Sequence, residues 1–337
     1  MEENAIIMIY AIMGITQVYP KKRINPWYKF KLKDKVKIIN GKAMKLELNE
    51  NFQISNLIVR TKDGIKDISA DFFVLTAGAL STPTILDQLS NVKNENGLQN
   101  VGLSYEDHPS ALVGDLVLNE PLFKLWNYPC ANGNLRLPIS LEIDGLRLSF
   151  QFRPAANSFV INRKQRLKGV INELRNNPFN IKLYFKLLTH LDDIMEVLSF
   201  KLNINLPTKH YSLLLVAEQF PSKHKSVWER NDFIYRSWII DDKHLQIYNQ
   251  GIQDVIDLLG KKLKSVNIYN DWDKNIYSSS HHAGTAKMGY NHKDSVCDKN
   301  GLVFGFNNLF VCDGSVIPAT GFANTGLTIA ALGLRLS

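Results

Sequence analysis

The apolar and polar positions of residues 28–60 alternate in short runs, a pattern typical of strands that are buried on one face. The next run, FFVLTA at residues 72–77, is almost entirely apolar and predicts a parallel strand buried on both faces. It leads into Ala77-Gly78-Ala79, and Pro83 then lies in the first turn of a predicted helix. Such a turn brings backbone N–H groups close to a phosphate or a ring system, although the glycine could equally serve only close packing.

The middle of the chain predicts a mixed unit of strands and helices. Residues 102–154 alternate around turns rich in Asn, Asp and Gly, which indicates antiparallel strands. Residues 164–202 have helical spacing broken at Asn177-Pro178, and residues 253–266 predict one more helix. Four aromatic residues of this unit are expected to be sheet core rather than a platform for a sugar: Trp228, Phe233, Tyr235 and Trp238.

The last sixty residues contain the densest candidate chemistry. HHAGTAKMG begins at His281, and a short apolar strand then ends in Asp313-Gly314. A loop of small residues, PATGFANTG, leads into an apolar helix that is predicted to start near Asn324-Thr325. The N-terminus of that helix has free N–H donors and a partial positive charge that suits an anion. The alternative is a buried C-terminal helix that Asn324 or Thr325 merely caps.

Composition narrows the possible functions. The 337 residues include 40 Lys and Arg against 32 Asp and Glu, and the cations are scattered rather than gathered in one stripe, so nucleic acid is not expected as a partner. Three well-separated cysteines without a CxxC pair argue against a disulfide framework or a structural zinc site. The apolar run at residues 5–15 is too short to span a membrane and follows two glutamates, unlike a secretory signal. We therefore expect a cytoplasmic chain without a membrane span.

Four segments, in order, resemble the glucose-methanol-choline (GMC) oxidoreductases, a family of FAD-dependent alcohol oxidases and dehydrogenases. VLTAGALSTPTIL resembles a family signature in which a strand is followed by Gly-Ala and Ser/Thr-Pro, and EDHP at residues 106–109 resembles the entry into the substrate domain. HHAGTAKMG resembles the family's H-x-x-G-T-x-x-M-G segment, and the final stretch from Val311 resembles its D-x-S-x-x-P and N-x-x-L-T motifs. The chain is thus identified as a GMC-type flavoprotein over residues 71–337.

The resemblance implies a fold of class α/β plus α+β. A partial, Rossmann-like FAD/NAD(P)-binding domain would accompany a GMC-type substrate domain built on a mixed or antiparallel sheet with helices. The expected division is 1–105 for the later strands of the FAD-binding domain, 106–275 for the substrate domain, and 276–337 for the return to the FAD-binding domain with the active-site residues.

The resemblance also assigns site residues. His281, three residues before Gly284, matches the catalytic base, and Asn324 matches the second active-site position; neighbouring His282 receives no role. The residues that match FAD contacts are Val36 at the adenine, the turn Ala77, Gly78 and Ala79, the strand end Asp313 and Gly314, and Thr325 under the flavin ring.

The chemistry is consistent with these residue types. Oxidation of an alcohol removes a hydride, which the flavin accepts at N5, and a proton, which a histidine with a pKa near neutrality can take. No metal is expected, because adjacent histidines on an extended strand point to opposite faces. Without the flanking motifs, His281 would more simply be a structural histidine.

One element of a FAD enzyme is absent from the sequence. The opening unit of strand, G-x-G-x-x-G and helix holds the pyrophosphate, and none of the 20 glycines forms that pattern. Two expectations follow. Either the chain acts on an alcohol or sugar once its flavin site is complete, or it is a truncated, non-catalytic fragment that needs a separate N-terminal FAD-binding polypeptide.

Overall fold

The largest of the described sheets is antiparallel and contains six strands. The computed structural model describes residues 6–9, 37–89, 97–120, 127–130, 133–136, 138–154, 161–189, 209–322 and 324–336. The strands of this sheet lie side by side in the order β14 (Leu263–Ile268), β6 (Pro109–Leu118), β11 (His210–Ala217), β10 (Leu146–Pro154) and β9 (Ile139–Ile143). The short strand β15 (Tyr277–Ser278) also pairs with β6. This sheet confirms the antiparallel strands predicted for the middle of the chain.

Helix α4 (Asp242–Leu259) covers this sheet and completes its core. The Asp241 carboxylate caps the helix by accepting from the backbone N–H of His244 at 3.0 Å. A Cβ on Gly251 would lie 2.4 Å from Leu148 Cδ1, so the glycine allows α4 to approach β10 closely. The predicted helix 253–266 is wrong beyond Leu259, because Gly260 has φ +43° and the chain continues as β14.

A three-stranded sheet is parallel, as the apolar run at residues 72–77 predicts. Strand β5 (Phe72–Leu75) lies between β1 (Ile6–Ile9) and β16 (Leu309–Val311), and helix α1 (Gly78–Asp87) follows β5 directly. The meander of β2 (Gly41–Leu48), β3 (Ile54–Thr61) and β4 (Gly64–Ser69) shares one apolar core with these strands. Helix α5 (Gly326–Leu336) closes the described chain.

Strands β5 and β16 are separated by more than two hundred residues and nevertheless pair side by side. The first and the last of the three expected segments therefore contribute strands to the same sheet, and the antiparallel sheet is formed mainly by the segment between them. This pairing supports the division at residues 105 and 275, which stays a proposal.

Two further helices and two hairpins complete the described chain. Helices α2 (Ile161–Asn176) and α3 (Ile181–Leu188) flank the break predicted at Asn177-Pro178. The hairpins are β7 (Asn127–Cys130) with β8 (Gly133–Arg136), and β12 (Ser226–Arg230) with β13 (Phe233–Ser237). Within the described ranges, no helix combines the length and hydrophobicity that a bilayer-spanning segment needs.

The expectation that the aromatic cluster is sheet core is wrong for three of its four members. Trp228, Phe233 and Tyr235 are exposed on the hairpin β12–β13, where Trp228 and Tyr235 stack with ring centroids 5.8 Å apart. The hairpin is a two-stranded sheet of its own, in which Val227 is buried but most side chains stay exposed to solvent.

Candidate active site

His281 and Asn324, 43 residues apart in sequence, meet through their side chains. Asn324 Nδ2 lies 3.1 Å from His281 Nε2, and Asn324 Oδ1 accepts from the backbone N–H of Gly326 at 2.8 Å. The second contact fixes the amide orientation, so the NH₂ group faces the imidazole and donates to it. Nε2 of His281 is therefore an acceptor, and the ring in this arrangement is neutral.

The surroundings of His281 favour this neutral form. Burial of the half-buried ring, followed by the nearby His108, lowers the pKa of His281 below its usual value. The His108 ring stands edge-on to it with centroids 4.9 Å apart. Nδ1 of His281 is buried and has no hydrogen-bond partner among the described residues. Nε2, the nitrogen on the Asn324 side, is thus the one available to accept a proton.

A fully buried carboxylate, Asp107, holds the main chain of His281 in place. Its Oδ1 accepts from the backbone N–H of His281 at 3.0 Å and of His108 at 2.7 Å. Its Oδ2 contacts His282 Nδ1 at 3.1 Å and accepts from the Ser278 hydroxyl. Burial opposes ionisation of Asp107, but the hydrogen bonds from His282 and Ser278 outweigh it and the pKa lies below the usual range.

The side chain of His282 contacts partners that the His281 ring does not contact, although both residues also hydrogen-bond to Asp107. Its Nδ1 lies 2.7 Å from the Tyr105 hydroxyl, which accepts from Arg236 Nη1 at 2.7 Å. Arg236 Nη1 is also 3.9 Å from Asp107 Oδ2. Because an ionised carboxylate only accepts, the contact with Asp107 places the hydrogen on Nδ1 of His282.

Sequence reasoning missed Asp107, Tyr105 and Arg236 as parts of this site and left His282 without a role. Asp107 had a signal, since it lies in the EDHP segment that carries the family resemblance. The partners of His282 had none, because Tyr105 is 177 residues away along the chain.

The residues expected to contact the cofactor form a second, adjoining group. Asp313 Oδ2 accepts from the backbone N–H of Gly78 at 2.8 Å and from Thr82 Oγ1 at 2.6 Å. Its Oδ1 accepts from Ser315 N at 2.7 Å. The Asp313 carboxylate is thus occupied in joining the end of β16 to the turn before α1, so direct contact with a cofactor would fall to the backbone there.

The same group is joined to the histidine segment. A Cβ on Gly314 would lie 2.7 Å from the backbone oxygen of His282, so only glycine allows this approach. Thr285 Oγ1 donates to the backbone oxygen of Ala79 at 2.7 Å. Thr325 accepts from Ile329 N at 3.0 Å and opens α5 beside Asn324. The structure therefore brings every described candidate into one connected region, while Val36 lies outside the described residues.

The fit of this region to a flavin can be judged from the space it leaves. Gly78 has φ +82°, and a Cβ built there meets none of the described residues within 4 Å, so no described side chain fills that side of the turn. Ser315 Oγ is buried without a hydrogen-bond partner among the described residues, and Asn324 at the start of α5 is exposed. These features suit a large polar cofactor on one side of the site. Among the residues that the structure describes, no group of three or more His, Cys, Asp or Glu could hold a metal ion.

Comparison with known proteins identifies the family. The family model described as GMC oxidoreductase matches residues 233–333. The long-chain-alcohol oxidase FAO3 of Arabidopsis thaliana is 30% identical over 83 residues, which cover 25% of this chain and 11% of that protein. The putative truncated GMC-type inactive oxidoreductase R833 of Acanthamoeba polyphaga mimivirus is 43% identical over 61 residues, covering 18% of this chain and 69% of that protein. The chain belongs to the GMC oxidoreductase family.

Two solved structures share the fold. Pyridoxine 4-oxidase from Mesorbium loti has a TM-score of 0.54 at 16% identity, with 88% of this chain and 56% of that chain covered. A FAD-dependent oxidoreductase from Chaetomium thermophilum has a TM-score of 0.53 at 14% identity, with 87% and 59% covered. The expected fold class is confirmed, and the chain spans somewhat more than half of the length of these flavoproteins.

Proposed function

We propose that the chain is a FAD-dependent oxidoreductase that acts on the CH–OH group of an alcohol or sugar, with His281 as base and Asn324 as its partner. The observation that carries the proposal is the 3.1 Å contact that turns Asn324 Nδ2 toward a lone pair on His281 Nε2. A substrate hydroxyl that replaces this direct contact would donate to Nε2 and accept from Nδ2. Both residues would orient its oxygen before any bond breaks.

The chain's own groups would then move and stabilise a proton. His281 Nε2 takes the hydroxyl proton as the C–H bond breaks, and a bound flavin supplies the acceptor for the hydride. The imidazolium that results is favoured by the negative charge of Asp107, which acts to raise the pKa of His281 against the effect of burial. Asn324 does not titrate, so it can hold the oxygen throughout.

We propose that the cofactor is held on the adjoining face. The turn Ala77, Gly78 and Ala79, the strand end Asp313-Gly314 and Thr325 would contact it through backbone groups, and Val36 would meet the adenine. The start of α5 would supply partial positive charge to an electron-rich edge of the ring system. The side of the turn at Gly78 that no described side chain fills and the exposed start of α5 support this placement.

A second candidate is a non-catalytic chain that binds FAD only with a separate N-terminal polypeptide. Three observations favour it: the sequence has no G-x-G-x-x-G, one relative is named a truncated inactive oxidoreductase, and α5 is apolar yet strongly exposed. Leu327 and Leu334 of α5 are 84% and 80% exposed.

We place the chain in the cytoplasm, because Cys297 and Cys312 are free thiols, which suit a reducing compartment.

A visible absorption spectrum distinguishes the two candidates. The purified chain is mixed with FAD and desalted, and flavin absorption retained with the protein supports the first candidate. A colourless protein supports the second and rejects cofactor binding by this chain alone.

A matched pair of variants tests where the flavin lies. Leu327→Glu puts a carboxylate in the first turn of α5, whereas Leu334→Glu puts one in the last turn of the same helix at similar exposure. We expect only Leu327→Glu to reduce retained flavin, because its charge faces the electron-rich edge. Equal retention by the two variants would contradict the placement at the start of α5.

A further inference from the structure

The hairpin of α2 and α3 exposes a continuous apolar surface far from the candidate active site in sequence. Ile181, Tyr184, Phe185 and Leu188 are 70%, 50%, 66% and 55% exposed, and Phe179 just before them is 96% exposed. The four helical residues follow the i, i+3, i+4, i+7 spacing, so they lie on one side of α3, which we name the α3 face. Apolar residues grouped in this way on a folded surface mark a site of contact.

The α3 face is distinct from the side by which the helix packs. Leu183 and Leu187 are half-buried on a different side of α3. The helix is also fixed at its start, since Asn180 Oδ1 accepts from Lys182 N at 3.1 Å and Tyr184 Oη donates to Pro178 O at 2.9 Å. The apolar residues of the α3 face are therefore presented by a formed helix that uses a different side for its contact with the rest of the chain.

The hairpin also concentrates the positive charge of the chain. Helices α2 and α3 contain five and two Lys or Arg residues, with Glu173 as their one acid, out of a formal net charge of +8 for the whole chain. Lys182 and Lys186 lie one turn apart on α3, beside the α3 face, and Lys186 Nζ is 3.5 Å from Glu173. Basic and apolar groups thus share one short helical hairpin.

We propose that this hairpin docks on an anionic lipid bilayer, with the α3 face in the boundary between headgroups and acyl chains. An amphipathic helix with lysines beside an aromatic and aliphatic face matches such a surface, because lipid phosphates take the charge and the interface takes the apolar groups. A nucleic acid would use the cations and leave Ile181 and Leu188 in water. An ordinary protein groove would use the apolar face and has no need of the charge. The proposal is independent of the catalytic role.

Vesicle flotation with the full chain tests the proposal. The probes are phosphatidylcholine vesicles and phosphatidylcholine vesicles that contain about a third phosphatidylserine. We expect the chain to float with the anionic vesicles, to bind neutral ones at least roughly tenfold more weakly, and to be released by high salt.

Two variants separate the contributions, each with a matched control. Lys182→Gln/Lys186→Gln should weaken anionic binding roughly tenfold or more, while Lys261→Gln/Lys262→Gln, which removes the same charge from another exposed turn, should leave it within about twofold. Leu188→Gln should weaken binding several-fold, while Leu258→Gln, at an exposed leucine of α4, should not. Far-UV circular dichroism checks that each variant is folded.

Three results would overturn the proposal. The first is no binding of the chain to anionic vesicles, and the second is an equal loss of binding in the variants and their controls. The third is self-association in the absence of lipid that Leu188→Gln abolishes, measured by light scattering, since the face would then serve a second copy of the chain.

Discussion

Two helices of this molecule, α4 beside the antiparallel sheet and α5 beside the parallel sheet, differ in how much of their surface is buried. Helix α4 buries seven residues against the antiparallel sheet, whose centre includes Phe150 and Leu148 with no exposed surface. Helix α5, beside the parallel sheet, has no buried residue over its described length, Gly326–Leu336, although its composition is as apolar as a core helix. The core of the antiparallel sheet is thus closed by α4, while most apolar side chains of α5 are left exposed. We therefore expect substitutions in the core of the antiparallel sheet to reduce stability most, and substitutions on α5 to have little effect on stability.

The largest stability effect should come from the core of the antiparallel sheet. Phe150→Ala removes a fully buried ring that packs near Gly251 of α4, and we expect a loss of about 3 to 5 kcal/mol in the free energy of unfolding. Urea denaturation followed by circular dichroism measures it. A loss below about 1 kcal/mol would show that this sheet does not hold the stability of the chain.

Much of this core could be predicted from the sequence. Apolar runs and alternation indicated β5 as a buried parallel strand and the middle of the chain as antiparallel strands, because burial repeats with the period of the strand. The end of α4 was missed, since Gly260 stops the helix by its backbone conformation and the apolar pattern runs on into β14. The aromatic hairpin was misjudged, because alternation does not tell whether a layer covers the strands.

Asp107 lies just before β6 of the antiparallel sheet and contacts His281 in the candidate active site. Asp107→Asn should therefore affect both the stability of the chain and the pKa of His281. Asn keeps one acceptor oxygen but replaces the other, and the buried charge, with an NH₂ donor, so it cannot accept from His281, His108, Ser278 and His282 together, at a cost of about 3 kcal/mol. The pKa of His281 should also fall further, because the carboxylate favours the protonated ring. Urea denaturation measures the first effect, and the NMR titration of the His281 ring measures the second.

Asp115→Asn is the matched control for that variant. Asp115 lies on β6 of the same sheet and accepts from Ser212 Oγ at 2.8 Å, and it is not among the charged groups that shift the pKa of His281. It should cost about 1 kcal/mol and leave the His281 titration unchanged. An unchanged titration in Asp107→Asn as well would contradict the electrostatic role given to Asp107.

Glu106 should make stability depend on pH. Burial raises its pKa to about 7, while Thr320 N–H and Lys225 act in the opposite direction. The folded chain keeps a proton that the unfolded chain loses, so this contribution to stability is full at low pH and declines as pH rises toward 7. Between about pH 5 and about pH 8 the chain should lose about 2 to 3 kcal/mol relative to Glu106→Gln. Parallel pH profiles for the two proteins would show that this assignment is wrong.

The smallest effect is expected at α5. Leu327→Ala alters a side chain that is 84% exposed, so the free energy of unfolding should change by less than about 0.5 kcal/mol. Urea denaturation of Leu327→Ala, under the same conditions as for Phe150→Ala, measures this change. A loss near that of Phe150→Ala would remove the difference between the two regions.

Only those residues of the candidate site that lie in the family motifs could be predicted from the sequence. His281, Asn324 and the turn at residues 77–79 could be named from the resemblance, and the structure brings them together across 43 to 247 residues of chain. Tyr105 and Arg236 could not be named, because they reach the site through the side chain of His282 and no local pattern encodes that contact. Their place in the site can be recognised only once the fold is known.

The most direct test of the account is the rate of flavin reduction on anaerobic mixing of the FAD-loaded chain with a panel of primary and secondary alcohols and sugars. The account predicts bleaching of the flavin by at least one of them and a rate about 100-fold or more lower in His281→Ala. His224→Ala, at an exposed histidine outside the site, should match the unaltered chain. No reduction by any member of the panel, or equal rates with and without His281, would contradict the assignment of His281 as the base.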